Sequence, residues 1–237
     1  MNVATITDDK VFRSPVRHLH SLLASVEKRC LLWLATRLPR WVTSDQLTSL
    51  ALAAMLAAGV SYALARFSRW SLLPAVFSLA VNWFGDSLDG TLARVRHCER
   101  PRYGFYVDHV VDAVGATLLL GGLGLSGYMS PIVALSLLVA YLLLCVEVFL
   151  RTCCTGTFQM SFLNIGPTEL RILLSIGTLA AMVHPTTLLF GRTVLLFDIA
   201  GAIGTIGLVG TFVAMAWASV RALHRAEPLH YRSSSRS

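Results

Sequence analysis

The chain has 237 residues, of which 55% are hydrophobic and only 14% charged, and its mean hydropathy is +0.64. Soluble domains carry about 25% charged residues, so this composition excludes an ordinary globular soluble protein and points to an integral membrane one. The formal charge of +7 does not imply a nucleic-acid partner, because the basic residues track the apolar segments instead of forming one patch.

In chain order, Ser14-Pro15 is a helix-start signal, and Val16, Leu19, Leu22, Leu23, Val26, Cys30, Trp33 and Leu34 then recur at three- and four-residue steps up to Pro39. With Arg17, Glu27, Lys28 and Arg29 off that stripe, the segment is predicted to be an amphipathic helix in the headgroup region. Packing against the rest of the protein fits the same periodicity. His18 and His20 diverge on a helix and read as solvated residues, not a ligand pair. Six apolar segments follow, near residues 46–65, 70–95, 105–127, 130–152, 167–183 and 193–222. Most are long enough to cross about 30 Å of hydrocarbon as helices, the fifth being the shortest. No cleaved leader is expected, since the first apolar segment lies behind a polar tail containing Asp8, Asp9 and Lys10.

The expected fold is therefore all-α, a polytopic membrane protein with six transmembrane helices and an N-terminal amphipathic interfacial helix. Residues 1–45 are expected to form a cytosolic tail with an amphipathic juxtamembrane helix, 46–224 the six-helix transmembrane domain and 225–237 a disordered cytosolic tail. An inside amino terminus puts most Lys and Arg on the cytosolic side and leaves Arg66, Arg69 and Arg192 outside. The positive-inside rule then places both termini, and the loops after the second and fourth spans, in the cytosol. The five cysteines fall on that side or within spans, so no disulfide is assigned. Cys153-Cys154 read as buried small hydrophobes, with S-acylation the alternative. Gly201, Gly204, Gly207 and Gly210 mark a close-packing face on the last span.

One stretch breaks the apolar pattern. Asp86 and Asp89 lie at i and i+3 on the second span, and Asp108 and Asp112 at i and i+4 on the third, which runs antiparallel to it. A carboxylate near a bilayer centre costs about 2.5–3.5 kcal/mol, so four together imply a bound cation in a polar cavity. Oxygen ligands without a cysteine or histidine cluster suit a hard ion, Mg²⁺ or Mn²⁺. Gly90 and Ala93 leave room beside the helix for a phosphate or a flat base, and Arg94 adds a forked donor set matched to phosphate oxygens. A lipid-linked diphosphate substrate fits all of these. Solvated loop carboxylates fit less well, because both pairs share helical faces. A cation channel or carrier accounts for the acids but not for Gly90, Ala93 and Arg94.

These residues resemble the signature of the CDP-alcohol phosphotransferase family, D-x2-D-G-x2-A-R followed by G-x3-D-x3-D. Every fixed position is present, from Asp86 through Arg94 and from Gly104 through Asp112. The spacer is slightly longer than usual, and the extra length falls around Pro101-Arg102-Tyr103, where a longer loop is tolerated. Trp41 to Thr48 resembles the start of the family's first membrane helix, but Ser44-Asp45 replaces the expected Pro-Asn. Only Thr48 is carried over there, as a contact to the cytidine end. The likeness covers roughly residues 40–185, including Gly166-Pro167-Thr168-Glu169.

The resemblance implies that Asp86, Asp89, Asp108 and Asp112 bind the metal, that Asp112 also deprotonates the attacking hydroxyl, and that Arg94 holds phosphate. Gly90, Ala93 and Gly104 would line the substrate site, and Glu147, Glu169 and Arg171 the acceptor pocket, with Glu147–Arg151 as a structural pair the alternative for the first. It further implies release of CMP and a homodimer. Chain length favours CDP-diacylglycerol as donor and a soluble alcohol as acceptor. The Asp108-His109 step and the Trp41-Val42-Thr43 opening lean instead toward CDP-choline or CDP-ethanolamine with diacylglycerol.

Overall fold

The computed structural model describes residues 24–155, 166–189 and 191–227. Seven helices run in order: α1 (Ala24–Arg37), α2 (Ser44–Leu64), α3 (Leu72–Val95, entered through a 3-10 turn at Arg69–Ser71), α4 (Pro101–Leu125), α5 (Pro131–Thr155), α6 (Pro167–Val183) and α7 (Leu196–Ala226). The all-α membrane expectation holds at this level. Four of them, α2, α4, α5 and α7, are long and apolar enough to cross a membrane. The other two expected spans exist as helices. However, Asn82, Asp86, Asp89 and Arg94 make α3 more polar, and α6, at 17 residues, falls short of the ~20 that a span usually needs.

Helix α2 is the hub. It packs along both α3 and α4, while α5 packs on α4 and α7, and both α1 and α6 lean on α3. Small residues set the closest approaches. A Cβ placed on Gly122 of α4 would stand 2.0 Å from the Gly59 carbonyl oxygen of α2, and one on Gly85 of α3 would stand 2.6 Å from the Leu47 oxygen. Two apolar cores result. One, built around Tyr62, Leu72, Leu123, Met129, Ala181 and Phe197, lies where α2, α4 and α6 end and α3, α5 and α7 begin. The other, Leu31, Ala35, Leu47, Leu88 and Leu92, lies at the opposite end.

Several local expectations are corrected. The last apolar segment does not begin as helix: Thr186–Leu189 (β1) and Arg192–Leu195 (β2) form an antiparallel hairpin, and α7 starts at Leu196. Threonine and valine favour strand, and Gly191 at φ +78° supplies the left-handed turn residue. Pro101-Arg102-Tyr103 is not loop but the first turn of α4, with proline at a helix start, so the α3–α4 loop is only residues 96–100.

Of the amphipathic segment, residues 14–23 with their part of the stripe lie outside the described residues. Helix α1 packs on α3 through Leu31 and Ala35, the alternative that the periodicity also fits. Trp33 is 54% exposed and Cys30 is exposed, because the buried face is rotated toward the smaller residue. Cys153 and Cys154 are exposed too, since the buried face of α5 runs through Ala140, Leu144, Glu147 and Val148 and its next step is residue 151. The Gly201–Gly210 stripe divides. A Cβ on Gly201 would stand 2.5 Å from Val133, whereas Gly207 and Gly210 meet nothing within 4 Å. His18, His20 and the tail beyond residue 227 lie outside the described residues.

Candidate active site

The site lies at the end of the bundle where α2, α4 and α6 begin and α3 ends. Its first support is a capping box. Thr43 Oγ1 accepts from the Gln46 amide (3.3 Å) and Gln46 Oε1 accepts from the Thr43 amide (2.9 Å), which fixes the first turn of α2. That turn faces α3. Ser44 Oγ donates to the Asp89 carbonyl oxygen at 2.8 Å, and Thr48 Oγ1 donates to Asp89 Oδ2 at 2.5 Å. The Gly90 amide donates to Asp89 Oδ1, also at 2.5 Å. Asp89 is only 7% exposed, and with both oxygens bonded its carboxylate is held in one orientation.

Asp86, one turn earlier, pairs with Arg171 of α6 through an Nη2–Oδ2 contact of 2.5 Å. Asp108 is half-buried and Asp112 exposed. Asp86 and Asp89 lie near the end of α3, and Asp108 and Asp112 near the start of α4, the next helix after the short loop over residues 96–100. Both α3 and α4 take α2 as their main partner, so α2 joins the two helices that carry the aspartates.

The donor set fits a hard divalent cation by its chemistry, all carboxylate oxygens with coupled charges. The side chains as they stand are not a ready-made cage. Among the described residues, no three His, Cys, Asp or Glu groups stand close enough to hold one ion. Asp86 is turned to Arg171 through one oxygen, and Asp89 to Thr48 and the Gly90 amide.

The remaining sequence-predicted residues divide. Arg94 is exposed and bonded to Thr91 Oγ1 at 3.1 Å, one turn from Gly90, and a Cβ on Gly90 would meet only that arginine, 3.6 Å away. Ala93 is half-buried near the end of α3, and Gly104, in the first turn of α4, is open, with nothing within 4 Å of an added Cβ. Thr48 lines a cavity of about 110 Å³ with Asp45, Ser49, Leu52, Tyr103, Val107 and Val111. Arg171 joins the aspartates. Glu169 caps its own helix, accepting from the Gly166 amide at 3.0 Å, and Glu147, 7% exposed, accepts from Ser219 of α7 at 2.8 Å.

Sequence reasoning missed the supports. Ser44, passed over because it replaces an expected proline, bonds the backbone of Asp89. Arg96 donates to the carbonyls of Leu38 (3.1 Å), Pro39 (2.9 Å) and Val42, closing the α1–α2 link onto the end of α3. Arg100 pairs with Asp45 and lies 4.1 Å over the Tyr103 ring at the cavity rim. No short motif signals these, since each partner is more than forty residues away.

With this geometry in hand, comparisons place the chain. The profile of the CDP-alcohol phosphatidyltransferase family matches residues 41–217. No curated protein matches by sequence. Among solved structures, the phosphatidylinositol phosphate synthase of Mycobacterium tuberculosis, crystallised with CDP-DAG bound, is similar in fold: the TM-score is 0.53 at 21% identity, over 83% of this chain and 92% of that one. Members of the matched family generally depend on a divalent metal. The match spans most of the chain and contains all four aspartates, so this protein belongs to the CDP-alcohol phosphatidyltransferase family and is a membrane-embedded phosphotransferase of phospholipid synthesis that uses a CDP-alcohol.

Proposed function

We propose that the protein transfers the phosphatidyl group of CDP-diacylglycerol to a soluble alcohol and releases CMP. The observation that carries this is the family match over residues 41–217, which contains Asp86 and Asp89 near the end of α3 and Asp108 and Asp112 near the start of α4. These four hold Mg²⁺ or Mn²⁺, which when bound neutralises charge on the diphosphate. Asp112, the exposed member, accepts the proton of the acceptor hydroxyl. The acceptor oxygen bonds to the β-phosphorus, the bond from that phosphorus to the bridging oxygen breaks, and CMP leaves with the electron pair. No covalent enzyme intermediate is required.

Arg94 binds phosphate beside Gly90, Ala93 and Gly104, where small residues leave the backbone approachable. The cavity lined by Thr48 next to Asp89 supports assigning that side to the cytidine end. Arg171 is the acceptor-side cation, and its contact with Asp86 supports that role. Glu147 and Glu169 act behind it as supports of α5 and α6.

The reading includes six crossing helices, α2 to α7, with both termini and the site at the cytosolic face. The length of α3, about 36 Å at 1.5 Å per residue, supports its crossing. It also includes a homodimer, for which the open space over Gly207 and Gly210 leaves room.

The test is purified protein in detergent with radiolabelled CDP-diacylglycerol, Mg²⁺ and a panel of serine, glycerol phosphate and inositol. CMP is expected with one acceptor only, lost on chelation and restored by Mg²⁺ or Mn²⁺. Release only from CDP-choline or CDP-ethanolamine with diacylglycerol would reassign the donor. No release from any of these donors would overturn the proposal.

A further inference from the structure

Glu27 of α1 lies on the helix face that the apolar stripe leaves over, yet it is not a solvated charge. Its Oε1 accepts three hydrogen bonds, from Thr168 Oγ1 at 2.6 Å, Trp83 Nε1 at 3.0 Å and Ser87 Oγ at 3.3 Å. Trp83 and Ser87 are one turn apart on α3 and bracket Asp86, while Thr168 and Arg171 are one turn apart at the start of α6. The two faces therefore meet twice: once through Glu27, and once through the Arg171–Asp86 pair.

We infer that Glu27 is a positioning residue that clasps the start of α6 to α3 and thereby sets where the Arg171 guanidinium stands relative to the aspartates. All three donors are uncharged side chains, so the bonds are charge-assisted and need no second ion to hold them. Helix α6 is the shortest of the expected spans, and its main packing partner is α3. A fixed first turn therefore matters more there than in α2, which is seamed to two neighbours. Helix α1 then contributes to acceptor handling without touching a substrate. The functional consequence rests on the assignment of Arg171 to the acceptor side given above; the clasp itself does not.

The test compares E27A, E27Q and T168V with the unmodified full chain in detergent. Two readouts are taken: Michaelis constants for CDP-diacylglycerol and for whichever panel alcohol releases CMP, and amide hydrogen exchange over residues 167–172. In E27A the acceptor constant is expected to rise about tenfold, as for loss of one charge-assisted bond, while the donor constant changes less than about twofold. Exchange over 167–172 quickens while α2 and α4 stay protected. E27Q, whose amide oxygen still accepts, recovers most of both. Should E27A not fold, T168V removes only the α6 arm and carries the same expectations. Unchanged exchange over 167–172, or donor and acceptor constants rising together, would overturn the inference. If no donor releases CMP, the exchange readout alone still decides whether the clasp exists.

Discussion

The two ends of the bundle are built on different physics. At one end, Tyr62, Leu72, Leu123, Met129 and Phe197 form an apolar core whose few polar groups bond within it or beside it: Tyr62 to Thr178 at 2.6 Å, Ser126 to Leu123, and the Ser130 amide to Asp198 at 2.6 Å. At the other, beside the smaller core of Leu31, Leu47, Leu88 and Leu92, ion pairs and side-chain hydrogen bonds also hold α1, α2, α3 and α6 around the aspartates. The apolar end and the α2–α4 seam fix the frame. The polar end accepts desolvated charge, which costs stability unless a ligand or partner offsets it, and that arrangement is expected only where it serves chemistry.

The contrast can be broken by substitutions that should act on one end alone. Asp112→Asn removes the proposed proton acceptor, so CMP release should fall by about 10²–10⁴-fold while thermal unfolding stays put; a matching loss of melting temperature would make Asp112 structural. Gly122→Leu forces side chain into a space where even a Cβ would be 2.0 Å from the Gly59 oxygen. It should cost about 1–3 kcal/mol or more, lowering melting temperature and activity together. Tyr62→Phe deletes one buried hydroxyl, but Thr178 keeps its bond to the Leu174 carbonyl at 2.7 Å. A loss of about 0.5–1.5 kcal/mol in denaturant unfolding, with CMP release per folded molecule unchanged, is the expected outcome. Gly207→Ala, in open space inside α7, should raise stability by about 0.4–1 kcal/mol in the same measurement, through helix propensity and a less flexible unfolded chain.

Much of the site was legible because its chemistry is local. The spacing Asp86, Asp89, Gly90, Ala93, Arg94 falls within two and a half helical turns, and the second pair, Asp108 and Asp112, within one. The long apolar runs likewise gave α2, α4, α5 and most of α7. What stayed hidden was long-range or depended on which face wins. Arg171 meets Asp86 across 85 residues, and no periodicity encodes that meeting. In α1, Trp33 is the larger apolar residue, yet Ala35 is buried, because close helix approach selects small side chains and a membrane setting does not penalise an exposed tryptophan. Strand β2 reads as the start of a span because Thr193, Val194 and Leu195 continue directly into the apolar run of α7.

Arg96 carries a last consequence. Its guanidinium gathers the carbonyl oxygens of Leu38, Pro39 and Val42, so at these three carbonyls the link between α1 and α2 takes its hydrogen-bond donors from the end of α3. A turn satisfied in this way keeps its shape whether water or headgroup surrounds it. Bilayers of different thickness should therefore be met by tilting of the long helices, while the turn leading into the active end stays the same.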